Sequence, residues 1–341
     1  MLCGLSLIFL KYMSYTFDRM SLELAPQKSH WEYVFGYFVR NYLAARAKRQ
    51  ESICSPEYIE CIDKLAVAMV GPMKGKIFDP CCGVGGMLVE SHAFMLHKLH
   101  LANTSLKNLV KTTDQQIVLY GQESSITNYR LCRMNLAIHG VDGTQIGWNN
   151  ECCLEKDLYP NLKADYIFCA PFINSRYSNS DWIRYIISHL SLGGVACVVL
   201  SKDSLSSSSS ILAAMTENNE LKKMAGNTRV ICIVALPDQL FQSTGMSSCL
   251  WLFGRGKGRI SGTGKQDSDV LFIDLASNIP GVPRKIQYEE LSNPEIDEIA
   301  GTFRRWQAQN GDYKDVKGFC KSLDWKTIKR NHFNLTPERY V

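Results

Sequence analysis

From Lys76 onward, short runs rich in β-branched and aromatic residues alternate with amphipathic segments, and this alternation leaves few architectures open. Seven runs have the length and composition of strands: KIFDP, QIVLYGQE, DYIFCAP, VACVVLS, RVICIVALP, SCLWLFGRG and VLFIDLA. Helical candidates lie between them, among them GMLVESHAFMLHKL, SITNYRLCRMNLAIHG, SDWIRYIISHLS and ILAAMTENNELKKMA. Strands that alternate with helices predict an α/β fold with a doubly wound, mainly parallel sheet of seven strands.

The segments on either side of this region favour helices. Residues 1–50 carry aromatic side chains at helical spacing and end in a basic stretch, which predicts a short helical N-terminal region. We expect the α/β domain over residues 51–275 and a helical C-terminal extension over residues 276–341, with EIDEIAGTFRRW as its clearest amphipathic run. The basic, glycine-rich stretch 254–269 is predicted to be a loop, either solvated or in contact with phosphate.

Composition restricts the compartment and the partners without identifying them. The 13 cysteines include no CxxC or Cys/His zinc spacing, and an odd number without a framework favours reduced thiols. The apolar run at the start is interrupted by Lys11, and no apolar stretch approaches the roughly 20 residues that cross a bilayer. The net charge of +5 permits a polyanionic partner but does not require one. We therefore expect a soluble cytoplasmic protein without a metal site.

The stretch KIFDPCCGVGG, a strand that ends in a glycine turn, predicts a site for a nucleoside-type ligand. Gly83 and Gly85 allow the backbone to bend sharply and to approach a ligand closely, next to the free N–H groups of the following helix. The next strand ends in Glu123, whose carboxylate can accept both ribose hydroxyls of an adenosine.

Two features of this turn favour S-adenosylmethionine over NAD. Glu123 lies much further along the chain than the roughly 20 residues expected of a dinucleotide site, and the turn has no third glycine. S-adenosylmethionine is cationic and has no pyrophosphate, so that Asp79 can lie near its amino acid end. NAD and a tight turn without any ligand remain the alternatives.

Several motifs, in order along nearly the whole chain, resemble those of one family. FDPCCGVGGML is similar to FDPACGTGGFL in the modification subunits of type I restriction–modification systems, which are S-adenosylmethionine-dependent DNA adenine-N6 methyltransferases. GQESSITNYRLCRMNLAIHG resembles the family's GQE…R-MNL-IHG helix, and CSPEYI resembles its T-P-R-x-h segment. The later stretches LPDQLFQSTG and IKRNHFNLTPERYV are also similar to family segments.

The resemblance implies a cofactor, a substrate and partners. The cofactor is S-adenosylmethionine, the substrate is double-stranded DNA, and a specificity subunit and a restriction subunit are candidate partners. It also implies roles for individual residues: Ser55 and Pro56 at the methionine part of the cofactor; Asp79, Cys81, Gly83 and Gly85 at its amino acid end; Glu123 at the ribose; and Asn150 or Glu151 at the adenine ring.

The catalytic loop departs from the family pattern, because Cys169-Ala170-Pro171-Phe172 stands where the family has Asn-Pro-Pro-Phe/Tyr. An adenine amine is a poor nucleophile, and a side-chain amide and a backbone carbonyl activate it by accepting its hydrogens. A thiol is a weak acceptor, so Cys169 cannot replace the amide, whereas the carbonyl of Ala170 and the ring of Phe172 remain.

Two interpretations of this loop therefore stay open. Loss of one preorganised hydrogen bond typically lowers the rate by about 10²–10³, which predicts a slow methyltransferase. The alternative is a non-catalytic subunit that binds S-adenosylmethionine or DNA and acts in assembly or regulation. A nucleophilic role for Cys169 is disfavoured, because the apolar strand before it raises a thiol pKa.

Overall fold

The structure, a computed structural model, describes residues 28–48, 56–101, 117–171, 177–206, 228–237, 247–256, 269–275, 291–308 and 312–341. In this part of the chain nine strands form one sheet in the order β3-β2-β1-β4-β5-β7-β6-β8-β9. The strands are β1 (Gly75–Asp79), β2 (Ile117–Glu123), β3 (Ile146–Trp148), β4 (Ala164–Cys169), β5 (Leu190–Ser201), β6 (Thr228–Ala235), β7 (Ser248–Arg255), β8 (Asp269–Asp274) and β9 (Cys320–Asp324).

The doubly wound, mainly parallel sheet predicted from the sequence is confirmed. β1 pairs in parallel with β2 and with β4, and β4 pairs in parallel with β5. β7 runs antiparallel between β5 and β6. All seven predicted strands are present, but the number seven is wrong, because β3 and β9 also join the sheet. β3 has only three residues, and the sequence of β9, CKSLD, has little apolar content.

The described helices are α1 (Lys28–Lys48), α2 (Pro56–Val70), α3 (Gly86–Leu101), α4 (Ile126–Ile138), α5 (Asn179–His189), α6 (Asp203–Ser206), α7 (Asn293–Ala308) and α8 (Trp325–Arg330). These helices cover both faces of the sheet. Successive residues of a strand point to opposite faces, so neighbouring residues of β1 show which helices lie on each face. Ile77 packs in a buried cluster with residues of α2, α3 and α7, whereas the adjacent Phe78 packs in a second cluster with residues of α5.

The C-terminal region is not helical throughout, contrary to the sequence prediction. The predicted amphipathic run lies within α7, but the chain then returns as β9, which pairs antiparallel with β8. The indole N–H of Trp306 on α7 donates to the hydroxyl of Ser322 on β9 at 2.9 Å, so the helix is fastened to the added strand. The domain boundaries proposed from the sequence stay a prediction.

Several predicted segments lie outside the described residues. They are the stretch LSLIFLKYMSYTFDRM of the predicted helical N-terminal region, the helix ILAAMTENNELKKMA, the LFQSTG part of the family-like stretch LPDQLFQSTG, and most of the basic loop 254–269. The second N-terminal segment, HWEYVFGYFVRNYLAARAKRQ, is helical as predicted over the part that α1 covers. Among the described helices, none combines the length and the apolar character needed to cross a bilayer.

Candidate active site

Four strands end next to one another at the carboxyl edge of the sheet, in the spatial order β3, β2, β1, β4. Open α/β sheets bind ligands outside this edge, where the loops leave the strand ends. The edge brings together Asp79 at the end of β1, Glu123 at the end of β2, Asn149 after β3 and Cys169 at the end of β4. Asp79, Glu123 and Cys169, three of the residues predicted from the sequence, therefore lie along one edge of the sheet.

The glycine turn between β1 and α3 is held by backbone hydrogen bonds. Cys82 N–H donates to the carbonyl of Gln122 at 3.0 Å, and Gly85 N–H donates to the carbonyl of Cys82 at 2.7 Å. Gly83 has φ of 55° and Gly85 has φ of 83°, a region that favours glycine.

The two glycines serve different purposes. A Cβ on Gly85 would lie 2.7 Å from the sulfur of Cys132 on α4, so packing requires a glycine there. No described atom lies within 4 Å of a Cβ on Gly83, so this part of the turn faces open space. Gly83 thus leaves room for a ligand next to the backbone, and its role at the cofactor stays a prediction.

Asp79 is a buried carboxyl, only 4% exposed, that accepts the Cys81 N–H at 3.1 Å. Burial and, to a smaller extent, the nearby Glu123 carboxylate together raise the pKa of Asp79 to about 7, against the hydrogen bond from Cys81. No described Lys or Arg is near enough to favour its ionised form. A cationic ligand beside Asp79 would supply the positive charge that no described side chain provides, and it would favour the ionised carboxylate.

Glu123 and Asn149 lie side by side at the ends of β2 and β3. One carboxylate oxygen of Glu123 accepts the Ser125 N–H at 2.7 Å, and Glu123 is 8% exposed. The Asn149 N–H donates to the Glu123 carbonyl at 3.2 Å, and the Asn149 side-chain oxygen accepts the Glu151 N–H at 3.4 Å. The side-chain NH₂ of Asn149 is buried and has no hydrogen-bond partner among the described residues.

Asn149 is a candidate site residue that the sequence analysis missed. A buried amide without a partner calls for an explanation, and a bound ligand is one. Asn150 and Glu151, which were proposed for the adenine ring, are both exposed in this structure. Their role stays a prediction, but the buried side chain beside Glu123 belongs to Asn149. No sequence signal identified Asn149, because β3, which places it beside Glu123, has only three residues.

The predicted catalytic loop begins at Cys169, whose side chain is fully buried. Its sulfur lies 3.5 Å from the sulfur of Cys81 in the glycine turn. Burial raises the pKa of Cys169 to about 11, which argues against a nucleophilic role. Ala170 and Pro171 follow it and are half-buried.

Some of the predicted site residues are not fully described. Ser55 and Phe172 lie outside the described residues, and Pro56 begins α2 without a described side chain. Within the described ranges, no group of three or more His, Cys, Asp or Glu side chains is arranged to hold a metal ion.

Helix α2 supports the start of α3 through a second buried carboxyl. Asp63 on α2 packs against Gly86, the first residue of α3, and any Cβ at that glycine would clash with the carboxyl group. Burial raises the pKa of Asp63 well above its ordinary value, and the carboxylates of Asp79 and Glu90 add to the effect. The helix that leaves the glycine turn is thereby fixed against α2.

Comparison with known proteins gives the family. The N-6 DNA Methylase family model matches residues 30–341. The methylase subunit of the type I restriction enzyme HindI from Haemophilus influenzae is 30% identical over 91% of this chain and 68% of its own length. The methylase subunit of the type I enzyme MjaIX from Methanocaldococcus jannaschii is 26% identical over 96% of this chain and 59% of its own length.

Solved structures agree on the fold. A modification subunit of a putative type I restriction enzyme from Vibrio vulnificus superposes with a TM-score of 0.65 at 16% identity, over 91% of this chain and 63% of that one. The methyltransferase subunit of a type I restriction-modification system from Streptococcus thermophilus superposes with a TM-score of 0.59 at 19% identity, over 82% of this chain and 58% of that one. The chain thus spans between about half and two thirds of the length of these relatives. It belongs to the N-6 DNA methylase family, as a relative of the methylase subunits of type I restriction enzymes.

Proposed function

We propose that the protein transfers a methyl group from S-adenosylmethionine to the N6 amine of adenine in DNA, as the modification subunit of a type I restriction–modification system or a descendant of one. The observation that carries this proposal is the convergence of Asp79, Glu123, Asn149 and residues Cys169 to Pro171 at adjacent strand ends. Family membership supports methyl transfer as the reaction, and the side chains at the strand ends are the groups that would bind the cofactor and the base.

The residues at this edge fit the cofactor that the family implies. Asp79 offers a buried negative charge without a described cationic partner, which suits the ammonium group of a methionine moiety. Glu123 has a carboxylate oxygen without a hydrogen bond among the described residues, which suits a ribose hydroxyl. The unpaired NH₂ of Asn149 suits a ring nitrogen of adenine, and the open side of Gly83 leaves room for the ligand.

The chain's own groups would bind the cofactor and orient the target base. When bound, S-adenosylmethionine supplies an activated methyl group on a positively charged sulfur. The target adenine must leave the duplex to reach this edge of the sheet. The backbone carbonyl of Ala170 would accept a hydrogen bond from the adenine amine and draw its lone pair out of conjugation, while the ring of Phe172 stacks on the base. Cys169 contributes no acceptor of comparable strength.

The partners follow from the relatives and are proposals for this chain. We propose that double-stranded DNA is the substrate and that a specificity subunit selects the target sequence, with a restriction subunit as a further candidate partner. None of the 11 described cysteines is in a disulfide bond, in keeping with a cytoplasmic location.

Methyl transfer to unmethylated DNA, with and without a specificity subunit, tests the proposal. Tritiated S-adenosylmethionine would report incorporation into DNA, and calorimetry would report binding of the cofactor alone. The double variant Cys169→Asn/Ala170→Pro should raise turnover, because it restores the amide and the stiff turn. Failure of the folded, reduced protein to bind S-adenosylmethionine would contradict the proposal.

A second candidate is favoured by one observation. The thiol of Cys169 is fully buried and in contact with Cys81, so a buried and weak acceptor stands where the family has an asparagine amide. A subunit that binds S-adenosylmethionine or DNA without turnover, and acts in assembly or regulation, fits this arrangement. Retained cofactor binding with no methyl transfer by the double variant would favour this candidate.

A further inference from the structure

Two thiols from different parts of the chain are in contact beside the proposed cofactor site. The sulfur atoms of Cys81 in the glycine turn and Cys169 at the end of β4 are 3.5 Å apart, although the residues are 88 positions apart in sequence. Each stands where the motifs of the resembled family have a different residue, alanine for Cys81 and asparagine for Cys169. The fold therefore joins the two departures into one pair.

We propose that Cys81 and Cys169 form a reversible disulfide when the protein meets a peroxide, and that this bond closes the glycine turn onto the catalytic loop. In the first step a sulfur attacks the peroxide, the O–O bond breaks, and a sulfenic acid and one water form. In the second step the other thiol attacks the sulfenic sulfur, the S–O bond breaks, and a second water leaves. Two thiols are oxidised by two electrons, and the peroxide is reduced.

Accessibility assigns the order of these steps. Cys81 is half-buried, whereas Cys169 is fully buried, so the peroxide reaches Cys81 first and Cys169 resolves the sulfenic acid. The contact with Cys169 and burial both raise the pKa of Cys81, which makes the first step slow, because the thiolate is the reactive form. The disulfide is thus a response to sustained oxidation.

Another close pair of thiols provides an internal comparison. The sulfur atoms of Cys82 and Cys132 are 4.0 Å apart, and both residues are buried, at 5% and 0% exposure. Neither gives a peroxide the access that Cys81 has. Cys152 and Cys153 are neighbours in the chain, and hydrogen bonding with Cys153 lowers the pKa of Cys152 to about 7. Oxidation of these other thiols is the competing outcome.

The bond would displace the turn that is proposed to hold the cofactor. A disulfide brings its sulfur atoms to about 2.05 Å, so the pair must approach by roughly 1.5 Å. Cys169 is the last residue of β4 and pairs with Val198 of β5, whereas the turn at Gly83 borders open space. The turn therefore moves, and misplacement by about 1 Å is enough to cost a binding or reacting site up to 10²-fold.

Peptide mapping of the full chain after treatment with hydrogen peroxide tests the bond. Trypsin releases Cys81 and Cys82 together in peptide 77–98, and Cys169 alone in peptide 164–176. We expect these two peptides to be linked, with the loss of two hydrogens, and to separate with dithiothreitol. The link should persist in Cys82→Ala and disappear in Cys81→Ala, which distinguishes the adjacent thiols. Circular dichroism checks that each variant folds, and Cys169→Ala replaces Cys81→Ala if that variant does not fold.

The proposal is overturned if peptides 77–98 and 164–176 stay unlinked while other thiols oxidise, or if the link survives in Cys81→Ala.

The expected loss of cofactor affinity on oxidation rests on the proposed function and is measured separately. Oxidised wild-type protein should bind S-adenosylmethionine at least about tenfold more weakly than reduced protein, with recovery after dithiothreitol. Equal affinities would refute the closure of the turn. If reduced protein bound no S-adenosylmethionine, the proposed function would fail while the mapped disulfide stood.

Discussion

The protonation of Asp79 should control the binding of a cationic ligand at the glycine turn. Burial raises the pKa of this carboxyl to about 7, and the Glu123 carboxylate contributes in the same direction. Only the ionised form can pair with the ammonium group of S-adenosylmethionine. Binding should therefore weaken as the pH falls below 7, where the carboxyl takes up a proton.

The size of the effect follows from the titration. With a pKa of about 7, half of the Asp79 side chains are ionised at pH 7 and about one in ten at pH 6. Affinity should then fall about fivefold between pH 7 and pH 6, or about 1 kcal/mol. At pH 6 each binding event should release nearly one proton. The ligand's own amino group has an ordinary pKa of about 7.7–8.0 and stays protonated over this range.

Calorimetry in two buffers with different heats of ionisation measures both the affinity and the released proton. Asp79→Asn should bind more weakly at pH 7 and lose the pH dependence, because it has no proton to exchange. Cys152→Ser is the matched control, since that thiol also titrates near pH 7. An affinity that is flat between pH 6 and pH 7, or a slope that survives in Asp79→Asn, would refute the reasoning.

Two further predictions concern the stability of the ligand-free protein. Asp79 ionises at about 7 in the folded protein instead of its ordinary 3.8, so stability falls as pH rises through this window and is lowest above it. Asp79→Asn should therefore resist urea better than wild type at pH 8, by at most about 4 kcal/mol, and should differ little at pH 4. Gly86→Ala should lose about 1–3 kcal/mol in thermal unfolding, because its Cβ meets the Asp63 carboxyl. Gly36→Ala on α1, where no described atom lies within 4 Å of the added Cβ, should not lose stability.

The sequence predicted those strands that contain a run of buried apolar residues, because such a run differs clearly from the polar segments beside it. Nearly every residue of β6 and β7, for example, is buried, and both strands are evident in the sequence as runs rich in valine, isoleucine, leucine and phenylalanine. β3 has three residues and lies at one edge of the sheet, so it is too short to give a periodic signal. β9 lies at the other edge, and its half-exposed polar residues resemble those of a loop.

The site was predictable where a residue's role depends on its place at the end of a strand. Asp79 and Glu123 end two adjacent buried strands, and both are found at the expected edge. Asn149 was not predictable, because its burial depends on the short pairing of β3 with β2. The contact between Cys81 and Cys169 was not predictable either, since side-chain packing across 88 positions leaves no local pattern.

The contact between Cys81 and Cys169 also changes how the catalytic loop can be repaired. An asparagine at 169 is larger than the cysteine, and its amide would enter the buried space that the Cys81 thiol now adjoins. A buried amide without partners costs about 1–3 kcal/mol, so Cys169→Asn/Ala170→Pro alone should fold less stably and gain only part of the lost rate. Adding Cys81→Ala removes the thiol and leaves space for the amide to turn toward the target.

We therefore expect the triple variant Cys81→Ala/Cys169→Asn/Ala170→Pro to exceed the double variant in methyl transfer by about tenfold or more, within the 10²–10³ that one such hydrogen bond is worth. Single-turnover assays with saturating tritiated S-adenosylmethionine measure this step apart from cofactor affinity. Cys82→Ala, added to the same double variant, controls for the removal of any thiol in the turn. Equal rates for the triple and double variants, with both folded, would mean that Cys81 does not obstruct position 169. The low turnover expected of the altered loop would then come from the backbone or from Phe172, and the two departures from the family motifs would be independent after all.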